Sequence, residues 1–482
     1  MDTTKRSLAG LSRLLCLLLL LALCLSAAGC GRRKGAAEDA QPPAQTAAAP
    51  TAVPTVAIGG REIEVTAADI TAVLSEGETE KLDLLPALRS ADLSGSENVR
   101  EIAAWAARHP EVDVTWTVRL PNGSVLDSHA ETADLSGCSG TELADMVEPL
   151  SLLPALKSVD LGTQRPEMDW DSIAAFRAAL PTLSLSYRFT LYDTECDLAD
   201  TAINLYHIPV DDDGVLLEQV MDLMPQLENV DLDSCELPMW RCEEIHLAHP
   251  DVKVVFRVWF GNNYSVRTDT EMILASKPSV GGELTPDNIE GLYYCHDVKY
   301  LDVGHNTMLT DLSFVKEMPK LEVAVLAMCN WSDATPLSFC PELEYIEMQT
   351  TLCTDLRPLS GLTKLRHLNV CNIGADVEEW PRPSLTDITP LYPLTGLERL
   401  WIGGYNEVPH EQIEEMQRRA PKCEINDTVA DPHGGRWRCI DMADFINTYV
   451  DTYHERYIKL REQFREYDNS AYSFSWNDPL YS

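Results

Sequence analysis

Asp211-Asp212-Asp213-Gly214 places three carboxylates ahead of a glycine, the composition of a calcium loop. Such a loop also needs ligands at alternate positions and a distal bidentate glutamate, which do not follow here. The stretch therefore reads as a solvated loop that opens a helix at Val215. His109 and His249 each precede a proline at the end of a helical stretch, where an imidazolium can face terminal carbonyls. As metal ligands they would stand in separate segments with no partner at ligand spacing. No CxxC pair, glycine-rich phosphate loop, GxSxG elbow or HExxH pattern occurs. With 76 acidic residues in 482, no pair of carboxylates can be singled out as acid and base. The sequence thus names no catalytic residue, no metal ligand and no cofactor, and what remains is the scaffold.

That scaffold repeats itself. LLPALRSADLSG at Leu84 returns as LLPALKSVDLGT at Leu152 and LMPQLENVDLDS at Leu223. HPEVDVTWTVRL at His109 returns as LPTLSLSYRFTL at Leu180 and HPDVKVVFRVWF at His249; TADL at Thr132 returns as AINL at Ala202 and EMIL at Glu271. Three motifs in one register, about 70 residues apart, mean that each copy is one layer of a stack. Amphipathic stretches with apolar residues at three-and-four spacing lie between them, starting at Glu97, Asp169 and Leu237 and each closing at a proline. Each long unit therefore reads as strand, helix, long strand, hairpin, strand, helix. Pro121-Asn122-Gly123 and Gly261-Asn262-Asn263 supply the hairpin turns. Trp116, Tyr187 and Phe256 occupy equivalent strand positions and should be core.

From Val298 a shorter pattern takes over: VKYLDVGHN, LEVAVLAMC at Leu321, LEYIEMQTT at Leu343, LRHLNVCNI at Leu365 and LERLWIGGY at Leu397. Between these run LTDLSFVKEMPK, CTDLRPLSGLTK and LTDITPLYPLTG. These segments resemble internalin-type leucine-rich repeats, and the LxxLxL frame also fits the strands ending at Leu93, Leu161 and Leu232. The whole body is similar to bacterial leucine-rich-repeat lipoproteins. The resemblance implies an α/β solenoid with a parallel concave sheet, helices or irregular turns on the convex side, and β-hairpin insertions in the N-terminal half. Leucines alternating with polar residues turn one side of each strand to the core, and neighbours bury each other's open faces. The ninth repeat position, usually Asn, is Asn306, Cys329, Thr351, Ile373 and Tyr405. A ladder of asparagines should be mostly missing, with irregular loops in its place.

The outward strand positions are the candidate binding residues: Tyr300 and Asp302, Val323 and Val325, Tyr345 and Glu347, His367 and Asn369, Arg399 and Trp401. Stacking sets them in two columns about 5 Å apart per step, and aromatic and arginine side chains on a rigid sheet are the usual anchors of an interface. In the long units the same position is Asp92, Asp160 and Asp231, with Asp134 between. Like charges aligned on a sheet cost stability, so the column implies either dilution by spacing or a cationic ligand.

The N-terminus has a separate logic. Lys5, Arg6 and Arg13 precede the apolar run 14–25, and Ala27-Ala28-Gly29-Cys30 resembles a lipobox, in which the cysteine receives diacylglycerol. The resemblance implies a signal peptide at 1–30, lipidation at Cys30, and a body anchored on the extracytoplasmic face of the cell membrane. Residues 31–58 read as an Ala/Pro-rich spacer, 59–290 as the long units, 291–430 as the short ones, and 431–482 as a helical cap and tail. At the N-terminal side the sequence from Gly59 should supply the first strand and helix. In the tail, Phe445, Ile446, Tyr449, Tyr453, Tyr457, Leu460 and Phe464 fall on one helical face of 441–466, to cap the solenoid or dock a partner.

Composition narrows the partners. The first 34 residues hold six basic residues and one acidic one, so the remainder carries a formal charge of −43, which repels nucleic acid and anionic lipid. Eleven cysteines from Cys138 to Cys439 should be mostly buried thiols, with one or two disulfides open in an exported protein. The leading expectation is a non-enzymatic surface protein that binds a protein, peptide or glycan through its concave sheet. An extracytoplasmic hydrolase acting on wall or dietary polymers through carboxylates, and a purely architectural envelope protein, are the rivals.

Overall fold

A computed structural model describes residues 53–276, 283–372 and 383–428. The chain opens on an antiparallel hairpin, β1 (Thr55–Ile58) and β2 (Arg61–Glu64), turned by Gly59 and Gly60 at φ 55° and 72°. Two consecutive positive φ values define the hairpin turn that glycine permits. This corrects two expectations. The body begins inside the stretch read as spacer, and after Gly59 the expected strand is followed by a second short strand and a 3-10 turn where a helix was expected. The alternation of Glu62-Ile63-Glu64 has the period of a strand.

Three long units follow. The first holds β3 (Asp69–Thr71), β4 (Ser90–Asp92), α1 (Val99–Arg108), β5 (Asp113–Thr115) and the hairpin β6 (Thr117–Arg119) and β7 (Val125–Asp127). The second has β8 (Thr132–Asp134), α2 (Gly140–Ser151), β9 (Ser158–Thr163), α3 (Trp170–Ala179), β10 (Ser184–Leu191) and β11 (Thr194–Asp197). The third has β12 (Ala202–Asn204), α4 (Val215–Met221), β13 (Asn229–Asp231), α5 (Met239–Ala248), β14 (Lys253–Val255), β15 (Arg257–Phe260) and β16 (Tyr264–Arg267). In every unit three strands pair in parallel, with a register shift between Ser186 and Arg188 of β10, and an antiparallel hairpin precedes the next unit; in the second unit that hairpin extends the same four-stranded sheet. The long strand is continuous only in β10; it breaks at Trp116 and Phe256 in the other two units. Those residues and Tyr187 are buried, as expected.

The short units build one seven-stranded parallel sheet: β17 (Met272–Leu274), β18 (Tyr300–Asp302), β19 (Val323–Val325), β20 (Tyr345–Glu347), β21 (His367–Asn369), β22 (Arg399–Trp401) and β23 (Glu424–Asn426). The sheet starts at Met272, within the last long-unit motif. Short 3-10 helices such as Ser313–Glu317, Thr335–Phe339 and Arg357–Gly361 return the chain over the convex side and bury Phe314, Leu337 and Leu359. Pro336, Pro358 and Pro390 sit in the first turn of three of them, where a missing N–H costs nothing. α6 (His410–Arg419) and β23 follow the last short repeat. A single apolar cluster runs from Ile58 to Cys423, so the stacked units share one core.

The ladder at the ninth position is present in altered chemistry. Asn306 Nδ2 donates to the carbonyls of Ala275, Val303 and Gly304, and its Oδ1 accepts from the Leu284 amide at 2.9 Å. One step on, the Cys329 thiol donates to Val303 O; two steps on, the Thr351 hydroxyl donates to Met348 O. Asn406, one place after the expected Tyr405, reaches the carbonyls of Val370 and Ile402. Small donors thus replace asparagine, and the loops keep their turns. Ile373 and the amphipathic stretch 441–466 lie outside the described residues.

Candidate recognition surface

The register brings the expected residues together. Tyr300, Val323, Tyr345, His367 and Arg399 are direct neighbours in one column, and Asp302, Val325, Glu347, Asn369 and Trp401 in the next. Contacts within and between strands organise them. The Tyr345 hydroxyl donates to Glu347, and the Tyr345 and His367 rings meet edge-on at 5.7 Å. The Arg399 guanidinium stands 5.0 Å over the Trp401 ring and its Nε lies 3.1 Å from Glu424. His367 is 3.7 Å from Glu398. Asp302 and Asn369 each accept a hydrogen bond from the amide two residues on.

The columns are not exposed. Tyr300, Asp302, Tyr345, Glu347, His367, Asn369, Arg399 and Trp401 are all 0 to 3 % accessible. Every residue of β17 to β22 is buried, whereas in β3, β8 and β12 the two outward residues of each strand are exposed. Seven of the eight also have polar or ring partners beyond those named here. The expectation of a solvent-facing sheet is therefore corrected: both faces of these strands are covered. The sequence carried a signal for this. Val323 to Ala327 and Met272 to Ala275 are uninterrupted apolar runs, the pattern of strands buried on two sides. Met272 and Leu274, which continue both columns, were missed for want of that reading.

The aspartate column has a local cause. Asp92, Asp134, Asp160, Asp231 and Asp302 each accept a hydrogen bond from the backbone amide two residues ahead, at 2.7 to 3.1 Å. Asn204, Asn369 and Asn426 do the same at equivalent positions. This Asx turn ends each strand, and an acceptor oxygen is all it needs. Hydrogen bonds from Ser94 and Ser136 hold the Asp92 and Asp134 carboxyls below the usual range. Arg188 lies 3.2 Å from Asp160 and Arg267 3.0 Å from Asp231, so the protein's own cations relieve the repulsion that a bound cation would otherwise have to relieve.

The remaining chemistry-bearing residues resolve into structural roles. Asp212 accepts from the Tyr192 hydroxyl and from the amides of Gly214 and Leu216, capping α4. His109 stacks on Trp105 at 4.2 Å and lies 3.3 Å from Asp83 and Glu111. No group of three or more His, Cys, Asp or Glu among the described residues is placed to hold a metal ion. The ten described cysteines are free thiols, nine of them buried; burial pushes Cys340, Cys371 and Cys423 up to about 12. No described helix is long and apolar enough to cross a membrane.

One open cleft, about 1130 Å³, lies in the first long unit between α1, the β6–β7 hairpin and α2, lined by Val73, Val99, Arg100, Val118, Val125 and Glu148. A size change accompanies it. The second unit has Trp170 where the first has Val99, and Phe189 where the first has Val118; there the two rings pack edge-on at 5.0 Å and fill the space.

These features define a leucine-rich-repeat solenoid, established by the chain's own strand register, repeat spacing and shared core. No family model and no curated protein matches the chain. Among solved structures it is similar to an internalin of Listeria monocytogenes, at 13 % identity over 77 % of this chain and 86 % of that one, with a TM-score of 0.25. A leucine-rich-repeat protein of Leptospira interrogans matches at 15 % identity over 73 % and 92 %, with a TM-score of 0.28. An internalin C2 of Listeria monocytogenes matches at 13 % identity over 50 % and 88 %, with a TM-score of 0.24.

Proposed function

We propose that this protein is a non-enzymatic binding protein, held at the extracytoplasmic face of the membrane by lipid on Cys30, whose recognition surface is the outward face of β17 to β22. The observation that carries the reading is the paired columns themselves. A rigid parallel sheet aligns two tyrosines, a histidine, an arginine and a tryptophan with two valines and two carboxylates, the anchor types that dominate interfaces. A face this apolar and this fully buried suits a polypeptide, whose side chains can fill it, better than a glycan. The lipobox at 27–30 and the basic, apolar and small-residue segments before it support the anchored location.

The test is retention of envelope polypeptides on immobilised mature protein, wild type against Tyr345→Ala and Trp401→Ala, with thermal unfolding run in parallel. Retention should fall at least tenfold in variants that still unfold cooperatively. Undiminished retention removes this face from the function, and turnover of a glycan or peptide panel would point to the hydrolase instead.

A further inference from the structure

The first long unit leaves open a place that the second fills from its own sequence. Val99 is the first residue of α1 and Trp170 the first of α3, while Val118 and Phe189 hold matching places in β6 and β10. In the second unit the Trp170 indole occupies the space, edge-on to Phe189 at 5.0 Å and to Tyr187 at 5.8 Å. In the third, Met239 heads α5 and its sulfur accepts from the Trp259 amide at 3.2 Å. We infer that the first-unit cleft is a second binding site, for a polypeptide segment that inserts an aromatic side chain between Val99 and Val118 and carries a lysine or arginine beside it. The site shares no residue with the face of β17 to β22 and stands or falls apart from it.

Size and lining fit such a ligand. The cleft, about 1130 Å³, has room for a ring together with the backbone on either side of it. Val73 and Val125 flank it and are 57 % and 48 % exposed, apolar surface that a bound ring would cover. No lining residue is aromatic, so the ring has to come from the ligand, and a sugar would find no aromatic platform.

Charge selects the neighbour of the ring. Four acidic and two basic residues line the cleft: Glu76, Glu97, Glu101 and Glu148, with Arg100 and Arg119. Arg100 lies 2.7 Å from Glu148 and joins α1 to α2, so this pair cancels. Glu101 is held by the Gly77 amide and by the side chains of Asn98 and Thr79. Glu76 and Glu97 are exposed and form no ion pair among the described residues. They stand on the loop after β3 and just ahead of α1, while Arg119 stands on the hairpin. A basic residue next to the ring therefore meets two unengaged carboxylates on the α1 side, and an acidic one there is repelled. The strongly acidic body draws a basic segment toward the cleft as well.

The test titrates the full chain, isotope-labelled at its valine methyls, with the peptide N-acetyl-Trp-Lys-amide and follows the methyl spectrum. Shifts of the Val73, Val99, Val118 and Val125 methyls should saturate at millimolar peptide. N-acetyl-Ala-Lys-amide and N-acetyl-Trp-Glu-amide should each bind about tenfold more weakly. Val99→Trp puts the molecule's own indole into the cleft and should abolish the shifts of the other three valines while the thermal midpoint holds. Glu76→Gln with Glu97→Gln changes exposed side chains alone and covers a Val99→Trp variant that fails to fold. That double variant should lose the preference for the Lys peptide over the Glu peptide. The inference is overturned if no saturable shift appears at these methyls, if the alanine peptide binds equally, if binding survives Val99→Trp in a folded protein, or if the preference survives the glutamine pair. Shifts that appear on concentrating the protein without peptide would seat a second copy in the cleft, and the same shifts with diacetylchitobiose would seat a glycan; either result overturns it too.

Discussion

Asp233 is fully buried, and its carboxylate lies 2.8 Å from Arg257 and 3.3 Å from Arg267, the guanidiniums of the two strands of the third hairpin. Burial pushes the carboxyl up. Hydrogen bonds from Arg257 and Ser234 and the charges of both arginines outweigh that, and the group stays below the usual carboxylate range. The hairpin β15–β16 is thereby fastened to the turn after β13.

Because the folded value is depressed, this contribution is fully present above the unfolded carboxylate value of about 3.9 and is lost as pH falls through the lower folded value. Asp233→Asn should lower stability by about 3 to 5 kcal/mol at pH 7, since two arginines lose their buried partner. It should also flatten the decline of stability below about pH 4. Urea unfolding midpoints of both proteins across pH 2 to 7 measure the two effects together; parallel curves would show that Asp233 titrates without consequence.

The aspartate column makes a narrower prediction. Since Asn204, Asn369 and Asn426 already serve where Asp92, Asp134 and Asp160 stand, Asp134→Asn should change stability by less than about 0.5 kcal/mol. Asp134→Ala removes the acceptor for the Ser136 amide and should cost about 1 kcal/mol. Thermal unfolding with and without millimolar calcium separates the turn from a cation site: added calcium should leave the wild-type midpoint unmoved.

How far the sequence reached follows from what each signal encodes. Leucine spacing reports which side of a strand meets the core, and the register of Leu301, Ala324, Ile346, Leu368 and Leu400 was legible in it. The same spacing is silent about the other side. Tyr345 and Glu347 look outward whether water or protein lies beyond them, and only the apolar run at Val323 to Ala327 hinted at a second layer. β1 was missed because Thr55–Ile58 lies inside the Ala/Pro-rich stretch, and β3 because its three residues, Asp69–Thr71, are too few for periodicity to separate from a helix start. The aspartate turns were hidden for a different reason: a carboxylate that caps a strand and one that awaits a cation look identical without the amide two residues away.

Asn306 shows what the altered ladder is worth. Its side chain satisfies three carbonyls and one amide in the first turn of the seven-stranded sheet. Asn306→Ala leaves them unpaired in a buried setting and should cost about 3 kcal/mol, concentrated locally. Hydrogen exchange at the Leu284 amide should accelerate by about two orders of magnitude. Exchange at the Leu385 amide, held by Asn406, should not change.

The cleft of the first unit is predicted to be a matter of volume alone. Trp170 meets Tyr187 at 5.8 Å and Phe189 at 5.0 Å, both edge-on, and it closes in the second unit the space that Val99 leaves open in the first. Trp170→Val should therefore lower stability by about 2 to 3 kcal/mol, through lost aromatic packing and a residual void that neighbours fill only in part. Val99→Trp runs the comparison backwards. Val99 is half-buried beside Val118, which has no ring to clash, so the indole can enter the existing space and stability should hold or rise. Thermal midpoints of both variants decide the matter. A loss in Val99→Trp as large as that in Trp170→Val would mean that the cleft walls are set by backbone placement and not by the side chains at these two positions.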